Sequence, residues 1–150
     1  MRDWFRVPAA AHLILARDRE VLLLLRAGTG YEDGRYSVVA GHLDGDEPAS
    51  AAMIREAEEE AGIVIRTEWL SLGCVMHRRA PDRESVDFFF ACNRWDGEVR
   101  NMEPHKCAGL RFFPVDDLPP NTVEYVRAGI QAASAGVRYV EFGWGAAGLK

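Results

Sequence analysis

The segment from residue 44 to residue 60 holds seven carboxylates and a single basic side chain, that of Arg55. Within it, residues 48–61 begin at a proline, contain no further proline or glycine and precede Gly62, which predicts a helix. At about 100° per residue, Glu56, Glu59 and Glu60 share one face of that helix. Such a face is either a solvated polar surface or a site for a hard divalent cation, which prefers oxygen ligands. Composition alone does not decide between them.

The other face of the predicted helix is apolar and carries Met53, Ile54, Ala57 and Ala61. A helix with one apolar side packs that side against the core and leaves the acidic side accessible. Like charges three or four residues apart weaken an isolated helix by about 0.2–0.5 kcal/mol per pair. The acidic side therefore has a cost unless cations lie between its carboxylates.

The rest of the sequence alternates short apolar segments with turn residues and predicts a mixed sheet with two helices. Residues 10–16 and 21–26 flank a polar tetrapeptide as a hairpin, and a glycine-containing loop follows over residues 28–34. Further strands are predicted over residues 36–40, 69–77, 86–95, 110–115 and 137–144. Asn121 is expected to cap the second helix, over residues 122–135. This order indicates an α/β protein with its sheet between two helix layers.

Composition limits the classes of function. Eighteen Lys and Arg against 23 Asp and Glu give the 150-residue chain a net charge of −5, which argues against a nucleic-acid polymer as partner. A small anionic ligand stays open, because a metal ion can reverse the sign of an acidic site. No apolar run approaches the roughly 20 residues of a membrane span. The unpaired spacing of Cys74, Cys92 and Cys107 predicts free thiols in a reducing cytoplasm.

The spacing of residues 41–63, GHLDGDEPASAAMIREAEEEAGI, resembles the Nudix box, G-x5-E-x7-R-E-U-x-E-E-x-G-U, in which U is a bulky or aliphatic residue. Ile63 satisfies the last apolar position, whereas Ala57 is small for its position. The match is specific over these residues and looser over most of the chain. It favours a metal site over a solvated surface. All seven fixed positions are filled, by Gly41, Glu47, Arg55, Glu56, Glu59, Glu60 and Gly62.

The resemblance implies one Nudix domain over residues 1–150, folded as an α/β/α sandwich with a mixed β-sheet between helices. It also implies a Mg²⁺-dependent hydrolase, with Mn²⁺ as an alternative, that cleaves the pyrophosphate linkage of a nucleoside diphosphate derivative. A homodimer is a reasonable expectation for a small enzyme. The partner is a small molecule rather than a polymer or a membrane.

The family's site residues carry over onto matching positions. Glu56, Glu59 and Glu60 are the expected metal ligands, and the Gly41 carbonyl is a further one. Glu47 and Arg55 are expected to pair and hold the loop on the helix, although Arg55 could instead contact a phosphate. Gly62 has a structural role at the end of the helix.

The general base in this family often comes from outside the box. Glu103, in a loop after a strand, is the candidate, and Glu98 is the alternative. Two departures affect the surroundings of the box. Val39-Ala40-Gly41-His42 stands where many members have Pro-Gly-Gly, and Ala108-Gly109 stands where many place an acidic residue before an Arg-aromatic pair. His42 has a structural role or contacts a phosphate.

Basic and aromatic residues in loops could hold the rest of the substrate. Arg26 and the run His77-Arg78-Arg79 are the candidates, with solvated basic turns as the other interpretation. The run Phe88-Phe89-Phe90 predicts core packing on a strand. Phe142 and Trp144 could belong to the core, a dimer interface or a platform for the base.

The short chain favours a nucleoside triphosphate, cleaved to the monophosphate and pyrophosphate. Nucleotide sugars, ADP-ribose and dinucleotides are the alternative substrates. Two other classes of function compete: a module that binds a nucleotide or ADP-ribose without hydrolysing it, and an acidic structural domain without a metal. The complete set of glutamates argues against a sensor, which does not need every metal ligand.

Overall fold

The structure is a computed structural model that describes residues 2–145. Within these residues, eight strands and two helices follow one another, with a short 3₁₀ helix at Thr67–Trp69. The helices are α1, Ala49–Ala61, and α2, Glu124–Ser134. The strands are β1 (Ala9–Arg17), β2 (Glu20–Arg26), β3 (Tyr36–Ser37), β4 (Ala40–His42), β5 (Ser71–Ala80), β6 (Arg83–Cys92), β7 (Cys107–Pro114) and β8 (Tyr139–Phe142).

The strands form a mixed sheet in the order β3-β2-β1-β6-β5-β8. Strand β1 runs parallel to β6, and β5 runs parallel to β8, whereas the other pairs are antiparallel. Two strands lie off this path, because β4 pairs with β1 and β7 pairs with β2. The mixed sheet agrees with the prediction.

The two helices cover different sides of the sheet, because successive strand residues point to opposite faces. Leu13 and Leu15 of β1 pack in one core cluster with Met53 of α1. Ile14, between those leucines, belongs to a second cluster with Ile130 of α2. The predicted α/β/α sandwich is therefore confirmed.

The prediction of one strand over residues 36–40 was wrong. Val38 and Val39 are buried but lie in neither strand, because β3 pairs with β2 whereas β4 pairs with β1. The chain thus crosses between two strand pairs, and it delivers Gly41 to the edge of α1. The apolar sequence of residues 36–40 does not indicate that the chain changes its partner strand there.

Other element boundaries also differ from prediction. Residues 67–69 form the 3₁₀ helix rather than the start of a strand, and β5 continues to Ala80. Pro48 precedes the first turn of α1 instead of lying within it. Asn121 does not cap α2, because Val123 holds that position, and the Asn121 side chain donates to the Gly34 carbonyl.

The remaining predictions concern single side chains and the membrane. Phe89 is fully buried in the α2 side of the core, as expected for that run. The three cysteines are free and buried. Within residues 2–145, no helix combines the length and the apolar character that crossing a membrane requires.

Candidate active site

The loop from β4 to α1 lies directly against the acidic side of the helix. A Cβ atom added to Gly41 would overlap the carboxyl group of Glu56. With any larger residue at position 41, the Glu56 carboxyl group would have to move away from β4. The main chain at residue 41 and the Glu56 carboxylate become neighbours as a result.

Arg55 ties this loop to the helix through two hydrogen bonds. Its Nη2 donates to Glu47 Oε1 at 2.7 Å, and its Nη1 donates to Glu56 Oε2 at 2.7 Å. The hydrogen bond to Glu47, followed by the contact with Glu56, raises the pKa of Arg55 above its usual range. The expected pair of Glu47 and Arg55 is thus present. The Arg55 guanidinium also lies 3.7 Å from the Glu59 carboxylate.

Glu60 is partly buried beside Glu56. Burial, a hydrogen bond shared with Glu56 and the negative charges of Glu56 and Glu103 raise its pKa well above the usual range. The backbone N–H of Ala40 hydrogen-bonds Glu60 and opposes the rise. The raised pKa favours the neutral form of Glu60 when no cation balances the cluster. A cation beside these oxygens would favour the ionised form.

The carboxylate oxygens of this helix suit a hard cation, but they do not surround a common position for one. Within residues 2–145, no three His, Cys, Asp or Glu side chains form a ready metal-binding cluster. Glu56 and Glu60 share a hydrogen bond, whereas the side chain of Glu59 is 53% exposed and lies beside Arg55. Rotation of that exposed side chain, one turn from Glu56, would add a third set of oxygens. Oxygen donors of this kind suit Mg²⁺.

Glu103 reaches the cluster because the connection from β6 to β7 is fastened to the end of α1. The N–H of Met102 donates to the Glu60 carbonyl at 3.2 Å, and the N–H of Arg100 donates to the Ala61 carbonyl at 3.0 Å. Asn101 Oδ1 accepts from the N–H of Glu103 at 3.1 Å. Glu103 is thereby held beside Glu60.

A cavity of about 130 Å³, called here the Glu60 cavity, lies at this point. Glu60 and Glu103 line it together with Arg26, Ala40 and Lys106. It therefore combines acidic oxygens with two cationic side chains. Glu98, the alternative base, lies elsewhere, in a groove with Trp95 and Arg111.

A second cavity of about 440 Å³, called here the Tyr125 cavity, adjoins Gly41. Arg26 and Ala40 line both cavities. The volume suits a nucleobase with its sugar, since small-molecule sites occupy about 300–1,000 Å³. Its wall includes Gly41, His42, Tyr31, Arg78, Arg83 and Tyr125.

A rigid loop places Tyr31 at the Tyr125 cavity. Arg26 Nε donates to the Tyr31 carbonyl at 2.7 Å, and Arg26 Nη2 donates to Thr29 Oγ1 at 3.1 Å. Asp33 accepts hydrogen bonds from Thr29 and from the N–H of Gly30, and these bonds lower its pKa. Arg26 therefore both lines the cavity and stabilises the loop that carries Tyr31.

The predicted basic loop at residues 77–79 is part of a strand, and only one of its side chains reaches the site. Strand β5 runs on to Ala80, so Arg78 points away from its two neighbours. His77 Nε2 hydrogen-bonds Glu84 Oε1 at 3.0 Å, and its ring lies 4.8 Å from that of Trp144. Arg79 lies 5.4 Å from the Trp144 ring. His77 and Arg79 line neither cavity.

Sequence reasoning missed four residues beside the Tyr125 cavity: His12, Tyr31, Asp87 and Tyr125. Two of them did leave a signal, because His12 and Asp87 each interrupt an apolar strand. Asp87 is fully buried and His12 nearly so. Buried ionisable groups are uncommon unless they are paired, so they mark positions to inspect.

Comparisons with known proteins also find similarity to NUDIX-domain proteins. The family profile of the NUDIX domain matches residues 5–132. The 8-oxo-dGTP diphosphatase of Escherichia coli K12 is 26% identical over 117 residues, which cover 77% of this chain and 89% of that protein. The NAD-capped RNA hydrolase NudC of Salmonella typhi is 29% identical over 126 residues, 81% of this chain and 47% of NudC. The chain thus spans about half the length of NudC.

One solved structure is similar in both fold and sequence. The crystal structure of a MutT NUDIX hydrolase from Burkholderia pseudomallei superposes with a TM-score of 0.77 at 28% identity. The superposition covers 85% of this chain and 98% of that protein. The similarity therefore extends well beyond the acidic helix and its loop.

Proposed function

We infer that this chain, which belongs to the NUDIX domain family, is a Mg²⁺-dependent hydrolase of nucleoside triphosphates that releases the monophosphate and pyrophosphate. One observation carries this proposal most directly. The Glu56 and Glu60 carboxyl groups share a hydrogen bond beside Gly41, with the charge of Glu103 acting on Glu60. This cluster lies between a cavity with two cationic side chains and a second cavity of nucleoside size.

Four groups would hold the metal: the carboxylates of Glu56, Glu59 and Glu60, and the carbonyl of Gly41. Bound Mg²⁺, or Mn²⁺ in its place, supplies charge that polarises phosphoryl oxygens and lowers the pKa of water. The pair of Arg55 and Glu47 keeps the loop and Glu56 in place. Glu59 is accessible enough to turn from Arg55 toward the cation.

Glu103 acts as the general base in this proposal. It lines the Glu60 cavity and is held there by hydrogen bonds of its own loop. Its carboxylate accepts a proton from the water whose oxygen attacks phosphorus. The bond between this phosphorus and the oxygen that bridges the α- and β-phosphorus atoms breaks, and that oxygen keeps the electron pair, so that the monophosphate and pyrophosphate separate. Arg26 and Lys106 stabilise the negative charge of the phosphate chain.

The two cavities favour a nucleotide with its phosphates at Glu60 and its base at Tyr125. The Tyr31 and Tyr125 side chains offer aromatic surface to a base, while Arg26 spans both cavities. The E. coli relative named as an 8-oxo-dGTP diphosphatase supports a triphosphate substrate. Sugar nucleotides and ADP-ribose are the alternatives that the experiment must separate.

A substrate panel tests the proposal. Canonical and oxidised nucleoside triphosphates, nucleotide sugars, ADP-ribose and dinucleotides are incubated with and without Mg²⁺, and products are identified by mass. We expect a triphosphate to give the highest kcat/KM and to yield pyrophosphate. Preferred cleavage of ADP-ribose or a sugar nucleotide would contradict a triphosphate as the substrate. Mg²⁺ binding without turnover of any compound would contradict the proposed hydrolase activity.

A further inference from the structure

The segment before β1, residues 2–8 and called here the arm, holds the two most exposed large apolar side chains within residues 2–145. Trp4 is 67% exposed and Phe5 is 77% exposed. The arm is neither helix nor strand, and it joins the sheet where the Pro8 carbonyl accepts from the N–H of Val86 at 3.0 Å. Neighbouring exposed apolar side chains mark interaction sites in soluble proteins. The two adjacent rings are therefore a candidate contact for another surface.

A groove of about 600 Å³, called here the Trp95 groove, lies beside the β1–β2 hairpin on the α1 side of the sheet. The apolar part of its wall consists of Leu22, Trp95, Val99, Leu110 and Phe112. The rings of Trp95 and Phe112 stack with their centroids 6.3 Å apart. Aromatic rings pack favourably against one another, beyond the area that they bury. The groove therefore offers a surface that suits the two rings of the arm.

The charges of the arm and of the Trp95 groove are complementary. The arm carries Arg2 and Arg6 against one acid, Asp3, and the groove carries Glu20 and Glu98. Within residues 2–145, no ion pair engages any of these five side chains. Opposite charges across an interface favour one partner over others. The two glutamates thus favour a cationic segment in the groove.

Two arginines also line the Trp95 groove, but aromatic rings already engage their charges. The Arg17 guanidinium lies 4.0 Å from the centroid of the Phe112 ring. That of Arg111 lies 4.5 Å from the centroid of the Phe113 ring, whose side chain belongs to the core cluster on the α2 side. These arginines therefore leave the two glutamates as the charges that the groove offers to a partner.

The arm does not reach the hairpin end of its own groove. It leaves the sheet at Ala9, where β1 begins, whereas Arg17 of the groove is the last residue of that strand. The strand is nine residues long, which separates its ends by about 27 Å. The five residue steps from Trp4 to Ala9 span at most about 18 Å. The groove that the arm can fill is therefore that of another molecule.

We propose that two copies of this chain form a dimer in which the arm of each copy lies in the Trp95 groove of the other. Two molecules that lie side by side with antiparallel β1 strands bring each arm to the hairpin of the other molecule. Because the exchange is reciprocal, it closes on two copies around a two-fold axis. The two rings of the arm then leave solvent against the stacked rings of the groove, and the arginines of the arm lie beside its glutamates. This dimer goes beyond the proposed function and does not depend on it.

Analytical ultracentrifugation of charge-reversed variants tests the proposal. Arg2→Glu/Arg6→Glu reverses the arm, and Glu20→Arg/Glu98→Arg reverses the groove. We expect wild type to dimerise and each variant alone to be a monomer, because like charges then meet in both contacts. An equimolar mixture of the two variants should form heterodimers, since every arm then meets a groove of opposite charge. Recovery on mixing also shows that both variants are folded.

A second comparison tests the aromatic contact. Trp4→Ala/Phe5→Ala should raise the dissociation constant of the dimer at least about thirtyfold, the effect of losing one interface hot spot. Tyr139→Ala is the matched control, because it removes another exposed aromatic ring, in β8, and should leave the dissociation constant unchanged.

Several results would overturn the proposal. These are a wild type that stays monomeric at every concentration, a dimer that both charge-reversed variants retain, and monomeric variants that do not combine on mixing. Assembly beyond two copies would exclude the reciprocal exchange. A monomeric wild type whose KM rises in Trp4→Ala/Phe5→Ala would show instead that the arm covers the Tyr125 cavity of its own molecule, which Ala10 lines at the base of the arm.

Discussion

The acidic side of α1 and the Tyr125 cavity are built in opposite ways. Glu56, Glu59 and Glu60 are neighbours in sequence, and their spacing on one helix is enough to bring them together. The wall of the Tyr125 cavity instead comes from β1, β2, β4, β5, β6, α2 and the loop after β2. The comparison teaches that the groups proposed to hold the metal lie in one continuous segment, whereas those that line the Tyr125 cavity are assembled by the tertiary fold.

The largest expected effect tests the acidic side of the helix. Glu59→Gln should reduce kcat by roughly 1,000-fold, because a neutral amide holds a cation far more weakly at the point where phosphate charge must be balanced. Mg²⁺-dependent turnover measures the loss. Glu58→Gln is the matched control, since it removes an exposed carboxylate from the same turn and should retain activity. Equal activity in both variants would contradict the assignment of Glu59.

A smaller effect is expected at Glu103, outside the helix. Glu103→Gln should lower kcat by roughly 100-fold, the lower range for loss of a general base. Glu98→Gln is the comparison, because Glu98 lies in the groove with Trp95 and not in the Glu60 cavity. A larger loss of kcat in Glu98→Gln than in Glu103→Gln would make Glu98 the general base instead of Glu103. Single-turnover kinetics would show that the lost step is hydrolysis rather than binding.

The buried Asp87 carboxylate, which hydrogen-bonds His12 and Arg78, predicts a dependence of stability on acidic pH. Because the pKa of Asp87 is lowered to about 2, its ionised form stabilises the fold above the unfolded-state pKa near 4. This contribution, about 2 kcal/mol, should disappear as the pH falls from about 4 to about 2. Urea unfolding of wild type and Asp87→Asn across that range measures it. A parallel pH dependence in both proteins would refute the claim.

The smallest effect is expected at Arg79, which lines neither cavity. Arg79→Gln should change kcat/KM by less than about twofold, because surface substitutions away from a site have small effects. Arg78→Gln, one residue earlier, removes a charged group from the wall of the Tyr125 cavity and should reduce kcat/KM for dGTP by about tenfold or more. Steady-state kinetics on dGTP compare them. A larger loss in Arg79→Gln would show that the basic run acts from the other face of the strand.

Sequence predicted the acidic helix well because its signals are local. The helix ends at Gly62 in a left-handed conformation, as its sequence indicates, and the β1–β2 hairpin is also found. The break at Val38 and Val39 could not be foreseen, since it depends on which strand each end pairs with. Likewise, the polar residues at the end of β5 favour a loop, and only pairing with β6 extends the strand.

In the candidate site, too, contacts within a local sequence pattern could be predicted, whereas contacts made by the tertiary fold could not. The pair of Glu47 and Arg55 could be predicted, because both positions belong to one spaced pattern. Asp87 and His12 lie 75 residues apart and meet only because β1 runs beside β6. Because their contact spans so much of the sequence, no local pattern could join them. Tyr125, which lies still further along the chain in α2, lines the Tyr125 cavity together with His12.

Metal binding by the acidic cluster is the most direct test of the central claim. Electron paramagnetic resonance measures free Mn²⁺ during titration of wild-type protein, the Glu56→Gln/Glu60→Gln double variant and the Glu58→Gln control. We expect wild type and the control to bind Mn²⁺ alike, and the double variant to lose this binding while keeping its folded circular dichroism spectrum. Unchanged Mn²⁺ binding in a folded double variant would contradict the account.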